Sequence, residues 1–394
     1  MDLVIATSAK LLFAGLLGNV LMTSSGLIPS PLTDSAGLHE LVGGAHKIPF
    51  YIGTYTSKQG SHGIYWATLD SRTGELSIPE LVATTESPSY LALSPGGKRL
   101  YAANELDNGQ VTAFDVAAEG KLHLLNTQSV GVGAPCFLSV DGMGKSLLVA
   151  NYTGGILTSF PIVADGRLGE EATRIHNSGT GPDKSRQDAS HMHWVSTGPK
   201  SKFAYSCDLG TDKVQVYRFD PASSKITEAP ELAGTSEPGS GPRHGVFHPR
   251  KPLLYVNNEM ANTVSVFSIQ SKTGGLTRIQ TISTLPEGPH PFNTTSEIAL
   301  DPTNRWLYVS NRGHDSIAVY RVGPKGLLSL VQIEKVGVRM PRGFAIDPTG
   351  HWLVVAGQDS NDLVALKLNP LTGELQGGFK KVSLSKPVCV LFAP

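Results

Sequence analysis

Nine residues able to do chemistry fall one position past one of two landmarks that recur along this chain. The first landmark is a Pro-led apolar segment, as in Pro88 to Pro95, Pro242 to Pro249 and Pro341 to Pro348. The second is a short alternating strand ending in a small or polar residue, usually Asn, as in Leu100-Tyr101-Ala102-Ala103-Asn104. After the first stand Ser89, Cys136, His193, Arg243, Ser296, Arg342 and Val388. After the second stand Tyr55, Glu105, Tyr152, Leu209, Glu259, Arg312 and Gln358. Arginines, carboxylates, a histidine and tyrosines at equivalent positions describe an anion-recognising polar pocket, provided the positions converge. Guanidinium groups offer fixed, always-charged forks to an oxyanion, a carboxylate or a phosphate. Histidine titrates near neutrality, and burial raises a glutamate while a neighbouring arginine lowers it. His193 and Glu259 are therefore the two candidate bases.

Convergence requires a particular architecture, and the repeat supplies it. A Gly-x-Leu turn recurs at Gly74, Gly120, Gly166, Gly274, Gly326 and Gly373, with Ser224-Lys225-Ile226 as a degenerate copy. One period spans roughly 46 to 58 residues and holds four short strands, near the length of a propeller blade. Strand alternation has period two, and no helical period follows residue 50. A single such blade cannot bury both faces, so several must close into a ring. The C-terminal Pro387–Pro394 repeats the Pro-led strand with nothing after it. Phe50-Tyr51-Ile52-Gly53-Thr54 repeats the second strand with nothing before it. The predicted fold is an all-β, seven-bladed β-propeller of four-stranded blades, its ring closed by pairing of the N- and C-terminal strands. In a blade the first strand is innermost and the second runs antiparallel to it, so both marked positions meet at one mouth of the channel.

Less exotic readings account for other polar residues. Glu259 could serve only as an ion-pair prop between Arg243 and Arg312. His191 and His193 have a metal-like spacing without a third ligand, so neither a metal nor a cofactor is expected. His244, His248, Asp301 and Asp347 are assigned to turns or strand edges. Cys136, Cys207 and Cys389 are widely separated and read as core residues. Asn151-Tyr152-Thr153 and Asn293-Thr294-Thr295 fit the glycosylation pattern, which carries no weight without a compartment.

Lys plus Arg and Asp plus Glu each number 33, giving a formal net charge of zero. That balance argues against a nucleic-acid partner. Residues 1–47 form an N-terminal apolar segment and linker, and 48–394 the propeller. The apolar run Leu11 to Met22 is too short for a membrane span but suits a signal peptide, except that Asp2 stands where positive charge is expected. The compartment stays open: cytoplasmic without a signal peptide, periplasmic or secreted with one. A monomer or weak oligomer is expected.

With these residues in place the chain resembles the seven-bladed lactonase family, which includes propeller-type 6-phosphogluconolactonases and the fungal carboxy-cis,cis-muconate cyclase. The marks are Tyr51-Ile52-Gly53-Thr54-Tyr55-Thr56, Asp208-Leu209-Gly210-Thr211-Asp212, Gly241-Pro242-Arg243-His244, Asn257-Asn258-Glu259 and Ser310-Asn311-Arg312. The resemblance implies His193, Arg243, Glu259 and Arg312 as catalytic residues. Tyr55, Glu105, Tyr152, Arg342 and Gln358 are then the substrate-binding candidates. It implies a small anionic sugar lactone as substrate, 6-phosphogluconolactone first, and a place in the pentose phosphate pathway and glucose metabolism. A lactone-forming cyclase and a non-catalytic binding propeller are the alternatives. No Gly-x-Ser-x-Gly elbow is present, so water rather than a serine is the expected nucleophile.

Overall fold

Seven antiparallel sheets follow one another along the chain in a computed structural model that describes residues 46–394, apart from 200, 201 and 291. The apolar run Leu11 to Met22 lies outside the described residues. Among those described, no helix is long and apolar enough to cross a membrane. Blade 1 is completed by the two ends of the chain. Pro387–Phe392 pairs with Lys47–Thr54, followed outward by Gly63–Asp70 and Glu80–Thr84. Blades 2 to 7 start at the inner strands Pro88–Leu93, Pro135–Val140, Met192–Thr197, Pro242–Phe247, Thr294–Leu300 and Pro341–Ile346. Blade 4 departs from the expected four strands by a short fifth, Gly234–Thr235, which pairs with Lys213–Asp220. The remaining described structure includes two single 3₁₀ turns, Ala118–Gly120 and Pro230–Leu232.

Alternation places the core between blades. In Trp306–Arg312, Leu307 and Val309 pack with Leu253 and Tyr255 of blade 5, while Tyr308 packs with Leu353 and Val355 of blade 7. A middle strand of this kind contributes to two hydrophobic layers, one on each side of its blade.

The Gly-x-Leu turns tie neighbouring blades together. Gly373 has φ +76°, and a Cβ there would fall 2.3 Å from the Trp306 ring, so glycine is required both for the turn and for the contact. Tyr308 of blade 6 donates its hydroxyl hydrogen to the carbonyl of that glycine at 2.8 Å. Tyr101, Tyr205 and Tyr255 do the same to Gly166, Gly274 and Gly326. Ser224 shows how the degenerate copy survives. It adopts φ +58° and meets Ser146, another small polar residue, through a 2.7 Å hydroxyl contact. Tyr308→Phe keeps the ring and strands one buried carbonyl, so urea denaturation should show a loss of about 1 kcal/mol. An unchanged midpoint would mean that these links carry no stability.

Every inner strand carries a bulge where the marked residue sits. Pairing jumps between Pro88 and Tyr90, Pro135 and Phe137, Met192 and Trp194, Pro242 and His244, and Pro341 and Gly343. In blade 6 it jumps from Thr295 to Ile298. Ser89, Cys136, His193, Arg243 and Arg342 are the extra residues, and a bulge re-aims its side chain out of the ordinary pleat. The facing strand is pinned to the same place by a backbone bond. Glu105, Tyr152, Leu209, Glu259, Gln358 and Tyr55 donate their N–H to the carbonyls of Ser87, Ala134, His191, Gly241, Met340 and Lys386. The two landmarks are thus neighbours in space, as the register predicted.

Candidate active site

Glu259 is the hub of the channel mouth. Its Oε2 accepts from Arg243 Nε at 2.9 Å and lies 2.8 Å from Arg312 Nη2, and its Oε1 accepts from Arg186 Nη2 at 2.6 Å. Arg243 and Glu259 are almost fully buried, whereas Arg186 is more than a third exposed and forms the outer edge. Burial raises the Glu259 carboxyl, but Arg312, Arg243, His193 and Arg186 together outweigh it and hold the group well below the usual range. Glu259 is therefore a permanent anion with both oxygens engaged. Arg312 also donates to the Thr295 carbonyl at 3.0 Å, yet its buried Nε has no partner.

His193 is buried beside this hub. Its Nδ1 lies 3.7 Å from Cys136 Sγ, and its ring meets the Tyr152 ring edge-on at 5.4 Å. Burial first, then Arg243 and His244, push its pKa well below 6.5, so the imidazole is neutral at physiological pH. Tyr152 lies 3.4 Å from Arg186 and stacks on His191 at 4.6 Å. His191 holds Tyr152 in place through its own contact with the Tyr152 carbonyl (3.1 Å) and reaches out to Asp188.

A second group stands apart from the hub. The Tyr55 hydroxyl donates to Glu105 at 2.9 Å, the Arg342 guanidinium lies over the Tyr55 ring at 5.3 Å, and Arg342 approaches Glu105 no closer than 3.9 Å. Burial raises Tyr55 strongly, so it stays a protonated donor. Gln358 makes none of these contacts. Its amide nitrogen donates to Asp359 at 3.2 Å and its buried Oε1 is unpartnered. Of the nine residues singled out, eight thus fall into two connected clusters and one turns aside.

Residues 49–392 match the family described as lactonase, 7-bladed beta-propeller. The chain belongs to that family. A 6-phosphogluconolactonase of Bacillus subtilis is 35% identical over 345 residues, covering 87% of this chain and 97% of the relative. The Pseudomonas aeruginosa periplasmic gluconolactonase PpgL superposes with a TM-score of 0.83 at 28% identity, covering 88% of this chain and 99% of that one. A solved Bacteroides fragilis chain gives the same TM-score at 35% identity, with 89% and 99% covered. Lactone hydrolysis is thus the reaction class that this membership supports.

Three residues of this lactonase's mouth escaped the repeat. Arg186 belongs to the connection before blade 4, outside any periodic strand, and the only sequence signal was that this period is the longest. The connection is fixed by buried Gln187, whose amide donates to the Leu209 carbonyl and to Asp212 Oδ1, both at 2.8 Å. His244 corrects the turn-or-edge assignment. It lies within Pro242–Phe247, buried, with Nδ1 3.1 Å from Glu297 Oε1 and Nε2 3.2 Å from Arg243 Nη1. Glu297, the third, follows Ser296 in the bulge of blade 6. The assignment does hold for His248, Asp301 and Asp347, which accept backbone N–H groups of their own turns. All three cysteines are free and buried.

Proposed function

We propose that this lactonase hydrolyses a sugar lactone, 6-phosphogluconolactone to 6-phosphogluconate before others, at the Glu259–Arg243–Arg312–His193 cluster. The observation that carries this reading is the charge at the mouth. The guanidiniums of Arg186, Arg243, Arg312 and Arg342 outnumber the nearby carboxyl groups of Glu259, Glu105 and Glu297, and the Arg312 Nε is left without a partner. Such an excess favours an anionic ligand and an oxyanion in the transition state.

Neutral His193 is the base in this scheme, because Glu259 is saturated by guanidiniums and too weakly basic. A water attacks the lactone carbonyl carbon and gives its proton to the imidazole. The carbonyl oxygen becomes an oxyanion held by Arg243 and Arg312, a preorganised stabilisation worth about 3 kcal/mol in barrier. Collapse breaks the bond to the ring oxygen, which takes the proton from the imidazolium. The neighbouring Arg243 disfavours that cation and speeds the return. The product is a hydroxy acid, which ionises in solution.

Arg342, with no hydrogen bond from its guanidinium among the described residues, is the natural grip for a phosphate. Arg342→Ala should raise KM for 6-phosphogluconolactone about tenfold, the value of one charge-assisted hydrogen bond. It should leave KM for unphosphorylated gluconolactone within about twofold on the same reasoning. Equal loss on both substrates would remove the phosphate role. A second reading, an unphosphorylated gluconolactone as substrate, is favoured by the likeness to the periplasmic gluconolactonase and by the apolar N-terminal run.

A further inference from the structure

Directly against the proposed site lies a buried pair that the hydrolytic scheme does not use, and its hydrogen bonds have only one consistent proton arrangement. Arg243 is always protonated and has donors only. At 3.2 Å from Arg243 Nη1, His244 Nε2 must therefore accept. A neutral ring then carries its hydrogen on Nδ1, which donates to Glu297 Oε1 at 3.1 Å, and the Ile298 N–H donates to the same oxygen. The other Arg243 bonds run to Glu259 and to the Ser296 carbonyl at 2.6 Å. His244 is thus one of three partners that fix the guanidinium.

We infer that His244 and Glu297 are positioning residues for this lactonase, Glu297 fixing the His244 tautomer and His244 in turn fixing the Arg243 guanidinium for the oxyanion. The inference rests on Arg243 belonging to the hydrolytic site. Its physical content is a proton constraint. Were the hydrogen to move to Nε2, two donors would face each other and Arg243 would be driven from its place. A Glu297 carboxylate enforces the right tautomer more strongly than a neutral carboxyl.

The surroundings decide how that constraint responds to pH. Tyr90 of blade 2 stands edge-on to the His244 ring at 5.7 Å, Phe137 of blade 3 at 4.9 Å and His193 of blade 4 at 5.2 Å. Arg243, Arg342, Glu259 and Arg312 act on His244 through their charges, Arg243 and Arg342 act on Glu297, and Cys389 of blade 1 lines the same cavity as Glu297 and Tyr90. Burial pushes the Glu297 carboxyl up to about 7 against the pull of Arg243, while burial and Arg243 push His244 well below 6.5. Across neutrality Glu297 changes charge and His244 does not.

The test is the pH dependence of kcat on gluconolactone, corrected for spontaneous opening, in the wild type and in folded variants. The wild type should lose kcat as pH falls through about 7, because protonation of Glu297 frees the tautomer. Glu297→Gln, whose amide oxygen accepts the Nδ1 hydrogen at every pH, should show no such limb. His244→Phe removes the acceptor and should lower kcat about tenfold, the value of one bond to a charged donor, with KM within about twofold. His244→Gln, which restores a carbonyl acceptor to Arg243, should recover most of that loss. A Glu297→Gln profile that keeps the limb, a wild type without one, or His244→Gln as slow as His244→Phe would overturn the inference. Arg243→Ala separates the two claims. If it leaves turnover intact, the hydrolytic site itself is misassigned. If it abolishes turnover while the limb persists in Glu297→Gln, only the positioning role fails.

Discussion

Glu259→Gln should cost about 3–5 kcal/mol of stability, the penalty for stripping one partner from a buried ion cluster, and should remove nearly all lactone hydrolysis. The amide keeps the shape of the side chain but loses the charge that Arg243, Arg312 and Arg186 share. Three guanidiniums, two of them buried, then repel one another, and the oxyanion site opens. Because the folded carboxyl titrates far below its ordinary value of 4.5, the unfolded chain takes up the proton first as pH drops. The stabilisation is therefore complete above the unfolded value and disappears only as pH falls through the folded one. Urea midpoints of wild type and variant should differ by a constant amount at pH 6 to 8 and converge at strongly acid pH, by that linkage. A variant as stable as wild type would mean that Glu259 is not the anchor of the cluster.

Removal of Pro387–Pro394 should abolish cooperative folding. Blade 1 would lose its inner strand, whose Val388, Cys389 and Val390 are buried and whose register with Lys47–Thr54 runs from Phe392 opposite Phe50 to Pro387 opposite Thr54. Burying three such side chains contributes on the order of 5 kcal/mol. The lost strand would also uncover the inner edges of blades 7 and 2. That sum is comparable with the whole stability of an ordinary domain. Far-ultraviolet circular dichroism with a thermal melt reads the outcome. A truncated chain that still melts cooperatively near the wild-type temperature would show that the ring does not need its clasp.

The ring was legible because each blade restates it: the seven turns, the alternating strands and the half-blades at the two ends admit one closure. The mouth was legible for a reason the sequence does not display. The marked residues of the inner strands are the extra residues of recurrent bulges, and those of the facing strands are pinned beside them by a recurrent backbone hydrogen bond, so equivalence in sequence survived as equivalence in space. The same bulges hid His244. In an unbroken strand it would point away from Arg243, whereas the bulge lets consecutive residues reach one centre. Glu297 was hidden likewise, next to the serine that the repeat selected. Arg186 had no register at all, since its connection belongs to no strand. Gln358 holds an equivalent position, but its amide nitrogen donates to the neighbouring Asp359 and it joins neither cluster.

The most direct measurement is acid release by the purified protein in a pH-stat, supplied with fresh 6-phosphogluconolactone and, separately, with gluconolactone, beside a folded Arg243→Ala variant. Wild-type protein should open at least one lactone far faster than the spontaneous rate, and Arg243→Ala should lower kcat by roughly two to three orders of magnitude, the value of a lost oxyanion donor. Wild-type and variant rates that coincide on both lactones would contradict the assignment of hydrolysis to this cluster.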